Sequence, residues 1–297
     1  MKKILVIGSI NVDFAINVDS IPRPGETVNA DSLLISNGGK GANQAFTIGR
    51  LNGNVKMLGK IGTDTFGEDA KEALKNANVN VESIVNCNKE TGKAFINVDK
   101  NGENCISIIH GANYEVDEKF IEENKKIIEE ADIILIQLEI PIQSVKKVLE
   151  LSKNKIVILD PAPANKGIMD FDLRNVYLTK PNETEIEILT GIKVIDEISA
   201  ENAARILLNK GIKNVIVSLG KQGCLLVNNS KVQKFGIIDT PVVDTTAAGD
   251  SFIASICYGL SKEMPIEEAI QLATKVASIV VTKKGAQNSI PTYEEVF

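Results

Sequence analysis

The sequence predicts an α/β protein: a doubly wound, mostly parallel sheet between helices, with a small β-sheet lid. Three observations carry this. First, short apolar runs recur at Ile4–Ile7, Val55–Ile61, Ile133–Leu138, Ile156–Leu159, Val176–Leu178 and Val215–Leu219. Short runs that are apolar on both faces are what buried parallel strands need. Second, amphipathic stretches lie between them, such as Ile266, Ala269, Ile270, Ala273, Val276, Ala277 and Val280 at helical spacing. Such alternation places helices on both faces of one sheet. Third, two segments break the rhythm. Asp13–Val18 with Thr27–Ile35, and Ala94–Asp99 with Asn104–His110, read as strand pairs joined by polar turns. These four strands are the expected lid, drawn from about residues 13–35 and 94–110 of a single domain spanning 1–297. Its apolar residues Ala15, Leu33, Ile35, Phe95 and Ile108 would close over a substrate or meet a second subunit.

The first strand follows Met1-Lys2-Lys3, which starts like a signal peptide. Its apolar run is too short for one, and Asn11 and Asp13 break it, so Ile4–Ile7 reads as a buried strand. No apolar stretch is long enough for a membrane span. The chain of 297 residues is 43% hydrophobic and 24% charged, an ordinary globular balance. A net charge of −6, no basic stripe and no Trp argue against nucleic acid as a partner. Cys87, Cys105, Cys224 and Cys257 are far apart without a C-x-x-C pair, which points to reduced thiols and a cytoplasmic setting rather than a zinc or redox site. The single histidine, His110, rules out a His-rich metal centre.

Asn11 and Asp13 stand just past the carboxyl end of the first strand, where open α/β sheets bind ligands. Next comes Asn37-Gly38-Gly39-Lys40-Gly41-Ala42-Asn43-Gln44-Ala45, a glycine-rich turn opening a helix. It is neither a Walker A loop nor a dinucleotide fingerprint. Its glycines would let backbone amides touch a ligand, while Lys40 and Asn43 supply donors suited to sugar hydroxyls. The alternative is a flexible turn with a surface lysine. Glu139 and Asp160 occupy the matching places after later strands, and carboxylates there accept hydrogen bonds from vicinal hydroxyls. Either acid could instead cap a following helix.

Thr179-Lys180-Pro181-Asn182-Glu183-Thr184-Glu185 opens another helix, and Asn182 with Glu185 has the spacing of a capping box. The functional reading sets the same pair near phosphates and a hydrated Mg²⁺. Ser218-Leu219-Gly220-Lys221-Gln222-Gly223 would bring backbone amides to a nucleotide. The most informative stretch is Asp244-Thr245-Thr246-Ala247-Ala248-Gly249-Asp250-Ser251-Phe252. Its small residues precede an apolar helical pattern, and the free amides and dipole of a helix start favour an anion. Asp250 would repel that anion, so it reads as a base beside an anion hole, at a solvent-reachable helix start. Together these features suggest phosphoryl transfer to a hydroxyl. The structural alternative is an Asp N-cap after an ordinary turn.

Taken in order, the two glycine-containing stretches make the chain similar to the ribokinase-like (PfkB) family of sugar and nucleoside kinases. Pro24–Thr27, His110–Asn113, Pro161–Ala164, Pro181–Glu185 and Lys284–Gln287 resemble its ribose-phosphorylating members in particular. The resemblance runs from about Ile4 to Pro291. It implies an αβα core, a β lid that also makes a homodimer, and transfer of the ATP γ-phosphate to O5 of ribose. By matching position, Asp250 is the base, and Gly249, Ala248 and Ala247 form the anion hole. Asn11, Asp13, Gly39, Lys40, Asn43 and Glu139, with Asp250, hold ribose. Asn182, Ser218, Gly220, Gly223, Gly249 and Thr274 meet the nucleotide, and Glu185 organises Mg²⁺ through water. The Asp244 carboxylate, Ser289, and the carbonyls of Thr246, Val280, Lys283 and Gly285 form an oxygen cage for a monovalent cation, K⁺. Two positions depart from the family: Thr274 replaces a larger polar residue, and Asp160 replaces Asn. The alternatives are a sibling kinase for deoxyribose, fructose, a sugar acid or a nucleoside, or a sugar-binding sensor without catalysis.

Overall fold

A computed structural model describes residues 1–297, and what positions its site is the order in which the chain fills one large sheet. The first half contains β1 (Ile4–Ile7), β2 (Asn11–Val18), β3 (Ala30–Gly38), α1 (Lys40–Arg50), β4 (Val55–Ile61), α2 (Thr65–Asn76) and β5 (Ile84–Asn86). It continues through β6 (Gly92–Val98), β7 (Asn104–Ile109), α3 (Glu118–Glu123), α4 (Lys125–Glu130), β8 (Ile133–Ile136) and α5 (Ile142–Leu151). The second half contains β9 (Ile156–Leu159), β10 (Val176–Thr179), α6 (Glu183–Thr190), α7 (Glu197–Asn209), β11 (Asn214–Ser218), β12 (Cys224–Asn228) and β13 (Val232–Phe235). Three helices close the chain: α8 (Ala248–Ser261), α9 (Ile266–Val280) and α10 (Tyr293–Val296).

The main sheet has nine strands in the order β13-β12-β11-β10-β9-β8-β1-β4-β5. From β1 the chain first builds outward through β4 and β5, then returns and builds the other way through β8 to β11. The reversal falls between β1 and β8, which pair in parallel. Such a switch point leaves a crevice at the carboxyl ends of the strands, because the connections leave on opposite faces. Both faces of the sheet are buried. Leu5 and Ile7 join one apolar cluster, beneath α5 and α7, while Ile4 and Val6 join another, beneath α1, α8 and α9. The six expected core strands are present, with ends shifted by a residue or two. The run after Ile133 leaves the ladder at Ile136, where the amide of Leu138 turns to the Ala162 carbonyl instead. The antiparallel strands β12 and β13 were not expected. Their signal is a hairpin around Asn228–Lys231 rather than a strand-helix alternation.

The second sheet has the order β3-β2-β6-β7, with β2 and β6 parallel and the outer pairs antiparallel. β3 runs from Ala30 to Gly38, so the expected segment is shifted three residues toward the C-terminus. The register also corrects the expected apolar face. Phe14 stands opposite both Ile35 and Phe95, so Leu33, Ile35 and Phe95 share one side with it. There Phe95 stacks on Phe14 at 5.1 Å, and Phe66 of α2 meets Phe14 edge-on at 5.5 Å. Ala15 and Ile108 point to the other side, together with Asp13 and Ala94. Successive strand residues alternate faces, so five residues chosen for hydrophobicity alone were divided between two surfaces. No helix is long and apolar enough to cross a membrane.

Candidate active site

The crevice is built from the turn between β3 and α1. Gly39 has φ +87°, and a Cβ there would lie 2.7 Å from the Asn11 amide nitrogen. At Gly38 a Cβ would lie 2.1 Å from Asp13 Oδ2. Two glycines therefore let the start of α1 press against β2, and only they fit. The unsatisfied amides of that helix start are met from β1 and β8. The Lys40 amide donates to Glu139 Oε2 at 3.0 Å, that of Gly41 to Ser9 Oγ at 3.3 Å, and that of Ala42 to the Ser9 carbonyl at 2.8 Å. Ser9 Oγ in turn donates to Glu139 Oε2 at 2.5 Å. Glu139 thus caps α1 from across the sheet rather than the helix that follows it, a placement the dipole favours. Its Oε1 takes no donor from the chain and stays open to a ligand.

Behind this turn lies a buried amide and acid network. Asn43 Nδ2 donates to Asp250 Oδ2 at 3.0 Å, and Gln44 Nε2 donates to Asp160 Oδ2 at 2.7 Å and lies 3.5 Å from Asp250 Oδ1. Gln137 holds Gln44 by donating to its Oε1 at 2.6 Å. The Asn43 Oδ1 atom is buried with no partner, and Asn11 spends only its Oδ1, on Asn113 Nδ2 at 2.6 Å. A buried polar atom without a partner is costly, so these amides are set for hydroxyls. Asp13 sits beside them, and burial, with the nearby Glu139 and Asp250 carboxylates, pushes its carboxyl up to about 7 against the pull of Lys40. Burial would lower Lys40, but Asp250, Glu139 and Asp160 outweigh it and hold the ammonium above its usual value. Burial likewise pushes Asp160 up to about 7, opposed by Lys180 and Lys40.

Asp250 occupies the third position of α8 and is 8% exposed, so it is enclosed by Asn43 and Gln44 and not the solvent-reachable acid that the sequence suggests. Ala247 starts this helix at φ +60°, a strained conformation for a non-glycine residue, and no side chain caps it. The Ala248 amide is spent on the Thr245 carbonyl at 3.1 Å. The amides of Ala247, Gly249 and Asp250 have no acceptor in the chain, so these three are free to meet an anion while that of Ala248 is already engaged. Just before it, Asp244 ties two turns together. Its Oδ1 accepts from the Thr246 amide at 2.8 Å and hydroxyl at 2.6 Å, and its Oδ2 from the Gly285 amide at 2.9 Å. Those bonds hold its carboxyl below the usual range despite partial burial. The carbonyl of Val280 accepts from the Lys283 amide, and the Ser289 hydroxyl donates to the Ala286 carbonyl at 2.7 Å.

On the far side, Asn182 and Ser218 are bridged at the ends of β10 and β11. Asn182 and Glu185 form the full capping box, each side chain 2.8 Å from the other's amide, and Glu185 Oε1 takes no donor. Gly220 (φ +51°) and Gly223 (φ +87°) shape the turn beyond Ser218. Thr274 spends its hydroxyl on the Ile270 carbonyl of its own helix, at 2.9 Å. His110 stacks on Tyr114 at 3.9 Å and takes no part in the network. Five polar residues of the crevice were not singled out from sequence: Ser9, Gln44, Asn113, Gln137 and Lys180. Ser9, Gln137 and Lys180 each follow a core strand, the place that marked Glu139 and Asp160. No cluster of His, Cys, Asp and Glu is arranged to hold a metal ion by itself. What the crevice offers is a set of free amides for an anion, a carboxylate within the same helix turn, and unpaired amide and acid groups for hydroxyls.

Comparison with known proteins agrees with this chemistry. A family model described as pfkB family carbohydrate kinase matches residues 1–293. A ribokinase of Haemophilus influenzae is 39% identical, covering 99% of this chain and 97% of its own. The crystal structure of a Thermotoga maritima ribokinase superposes with a TM-score of 0.90 at 38% identity, covering 100% of this chain and 98% of that one. An Arabidopsis thaliana ribokinase complexed with ribose and ATP superposes at 0.89 with 31% identity, covering 99% and 97%.

Proposed function

Because the chain belongs to the pfkB family of carbohydrate kinases, we propose that it transfers the γ-phosphoryl group of ATP to O5 of ribose. The observation that carries this is the junction of Asp250 with both halves of the site. One carboxylate stands in the turn that frees the Gly249 amide, and also accepts from Asn43 of the sugar-side network. Ribose would lie against Asn11, Asp13, Gly39, Lys40, Asn43 and Glu139, its hydroxyls taking up Asn43 Oδ1 and Glu139 Oε1. Asp250 accepts the O5 proton as the new bond forms, and the Ala247, Gly249 and Asp250 amides stabilise charge on the moving phosphoryl. Asn182, Ser218, Gly220, Gly223 and Thr274 line the nucleotide side.

Glu185 keeps one oxygen for water on Mg²⁺, which fits a metal arriving with the nucleotide phosphates and holding most of its own water. When bound, Mg²⁺ neutralises phosphate charge. For a monovalent cation the proposed ligands are the Asp244 carboxylate, the Ser289 hydroxyl and the carbonyls of Thr246, Val280, Lys283 and Gly285, all oxygen and suited to a hard ion such as K⁺. The Asp244 bonds to Thr246 and Gly285 support this by joining the two turns. Such an ion would stiffen the turn that leads into the anion cradle, as the Asp244 bonds already do. One coupled ADP-release assay tests the whole reading. Ribose should exceed 2-deoxyribose at least tenfold in kcat/KM, since each buried polar group left unpaired costs roughly 1–3 kcal/mol. Turnover should require Mg²⁺ and fall when K⁺ is replaced by tetramethylammonium at matched ionic strength. Equal specificity for the two sugars, or equal rates in the two cations, would overturn the corresponding assignment.

The four-stranded sheet would act as a lid over ribose, with Asp13 on its inner side. It would also make a homodimer, since exposed apolar residues stand on both of its faces, Leu33 (56% exposed) and Ile35 on the Phe14 side, Leu34, Ile106 (52%) and Ile108 on the Asp13 side. An apolar patch of this kind on a thin sheet is an expected contact surface. Sedimentation velocity should show a dimer at micromolar concentration and a monomer for Leu33→Glu. A monomeric wild type would exclude the interface. Four unpaired cysteines and the use of ATP fit a cytoplasmic enzyme.

A further inference from the structure

Lys180 is the one buried cation of the crevice that none of these roles uses. It follows β10 directly and is 7% exposed, and its ammonium has no hydrogen-bond acceptor and no ion-pair partner in the chain. The residue is largely buried, and an ammonium held there without a partner favours the approach of something of opposite sign. Two neighbours say what that is. A Cβ placed on Gly249 would lie 3.2 Å from Lys180 Nζ, so the ammonium stands beside the turn whose amides are free. Lys180 is the foremost positive charge drawing on the Asp160 carboxyl, but Asp160 Oδ1 is buried without a partner and does not bond the lysine. The cation is therefore held near the acids yet left without a partner at the place where an anion would arrive.

We propose that Lys180 is a catalytic residue that touches a non-bridging oxygen of the phosphoryl group in transit, alongside the Gly249 and Asp250 amides. This rests on the kinase reading above. In the step, the bond between the γ-phosphorus and the oxygen bridging to ADP breaks, and ADP leaves with that electron pair. The bond from phosphorus to O5 of ribose forms, and the O5 proton passes to the Asp250 carboxylate. Lys180 keeps all its protons. It contributes a fixed positive charge where negative charge gathers, and Gly249 is what leaves room for it. An ammonium serves here as a point charge, without the planar fork of arginine.

The test begins with wild-type ADP release from ATP and ribose. Absence of turnover would overturn the kinase reading, and this proposal with it. With turnover established, Lys180→Met should lower kcat roughly 10²-fold, the usual loss for one group aimed at transition-state charge. KM for ribose and affinity for ADP should stay within threefold, while affinity for ADP with aluminium fluoride and ribose should fall at least tenfold. Lys180→Arg should recover part of kcat. Circular dichroism and ribose binding establish that the Met variant is folded, and Lys180→Gln replaces it if it is not. A kcat within threefold of wild type, or a loss of ribose binding equal to the loss of kcat, would overturn the role.

Discussion

Asp250→Asn should reduce kcat roughly 10²–10⁴-fold, the range for loss of a positioned general base, while the fold and ATP affinity are kept. The substitution removes the acceptor for the O5 proton but preserves size and hydrogen-bonding capacity. In the wild type Asn43 donates to Asp250, and the other end of its amide, Oδ1, has no partner. Rotation of the Asn43 amide would let that oxygen accept from an asparagine at 250, so the enclosed pair can be re-formed. The thermal midpoint should accordingly shift by only a few degrees. Asp250 is also one of the charges that keep the carboxyl of Asp13 high, and its neutralisation should make Asp13 ionise more readily. Ribose binding should therefore survive, and the damage should appear in kcat rather than KM. Stopped-flow or coupled ADP release with calorimetric ribose binding separates the two. Turnover within threefold of wild type would remove Asp250 from the mechanism.

Much of this architecture is legible in the chain because the physics behind it is local. Runs such as Ile133–Ile136 and Ile156–Leu159 are apolar on both faces, and only a covered parallel sheet accommodates that. The two glycine-containing helix starts are legible for the same reason, since an ordered turn with small residues and free amides is a local property. What could not be read is whatever depends on register or on distant partners. Leu33 and Ile108 lie on opposite sides of their sheet because of how β2 pairs with β3 and β6, which composition does not reveal. Glu139 reaches back to the first turn of α1, and Gln137 to Gln44, across pairings set by strand order. Asn182 and Glu185 satisfy the local reading as a capping box and still leave an oxygen for a second role, so the two interpretations are compatible. A lysine directly after a strand carries no local sign of burial, and nothing in the sequence states that Gly249 comes to rest against Lys180.

The acids in the crevice should also make the protein less stable as pH rises from about 4 to 7, and Asp160→Asn should remove a large part of that slope. The carboxyl of Asp160 lies at about 7 in the folded protein and near 3.8 when the chain is unfolded. Between these values the folded form holds a proton that the unfolded form has released, so raising pH favours unfolding. The contribution is complete below pH 4, declines through the window and is lost above 7. At 1.36 kcal/mol per pKa unit, the shift corresponds to a stability change on the order of 2–4 kcal/mol over that range. Asp13 adds to the slope in the same direction. Acids held low by hydrogen bonds, such as Asp64 and Asp196, act at the opposite end, since their contribution disappears only as pH falls below the ordinary carboxylate range. Urea titrations at pH 5 and pH 8 therefore isolate the crevice acids. Wild type should unfold at lower urea at pH 8, and Asp160→Asn, which keeps an acceptor for Gln44, should narrow the gap between the two midpoints. The mechanism follows from burial of the site: Asp160 is 1% exposed, and the lysines that favour its charged form do not overcome the loss of water. An unchanged gap in the variant would mean that Asp160 is already ionised throughout the range, with Lys180 and Lys40 neutralising it more strongly than burial opposes them.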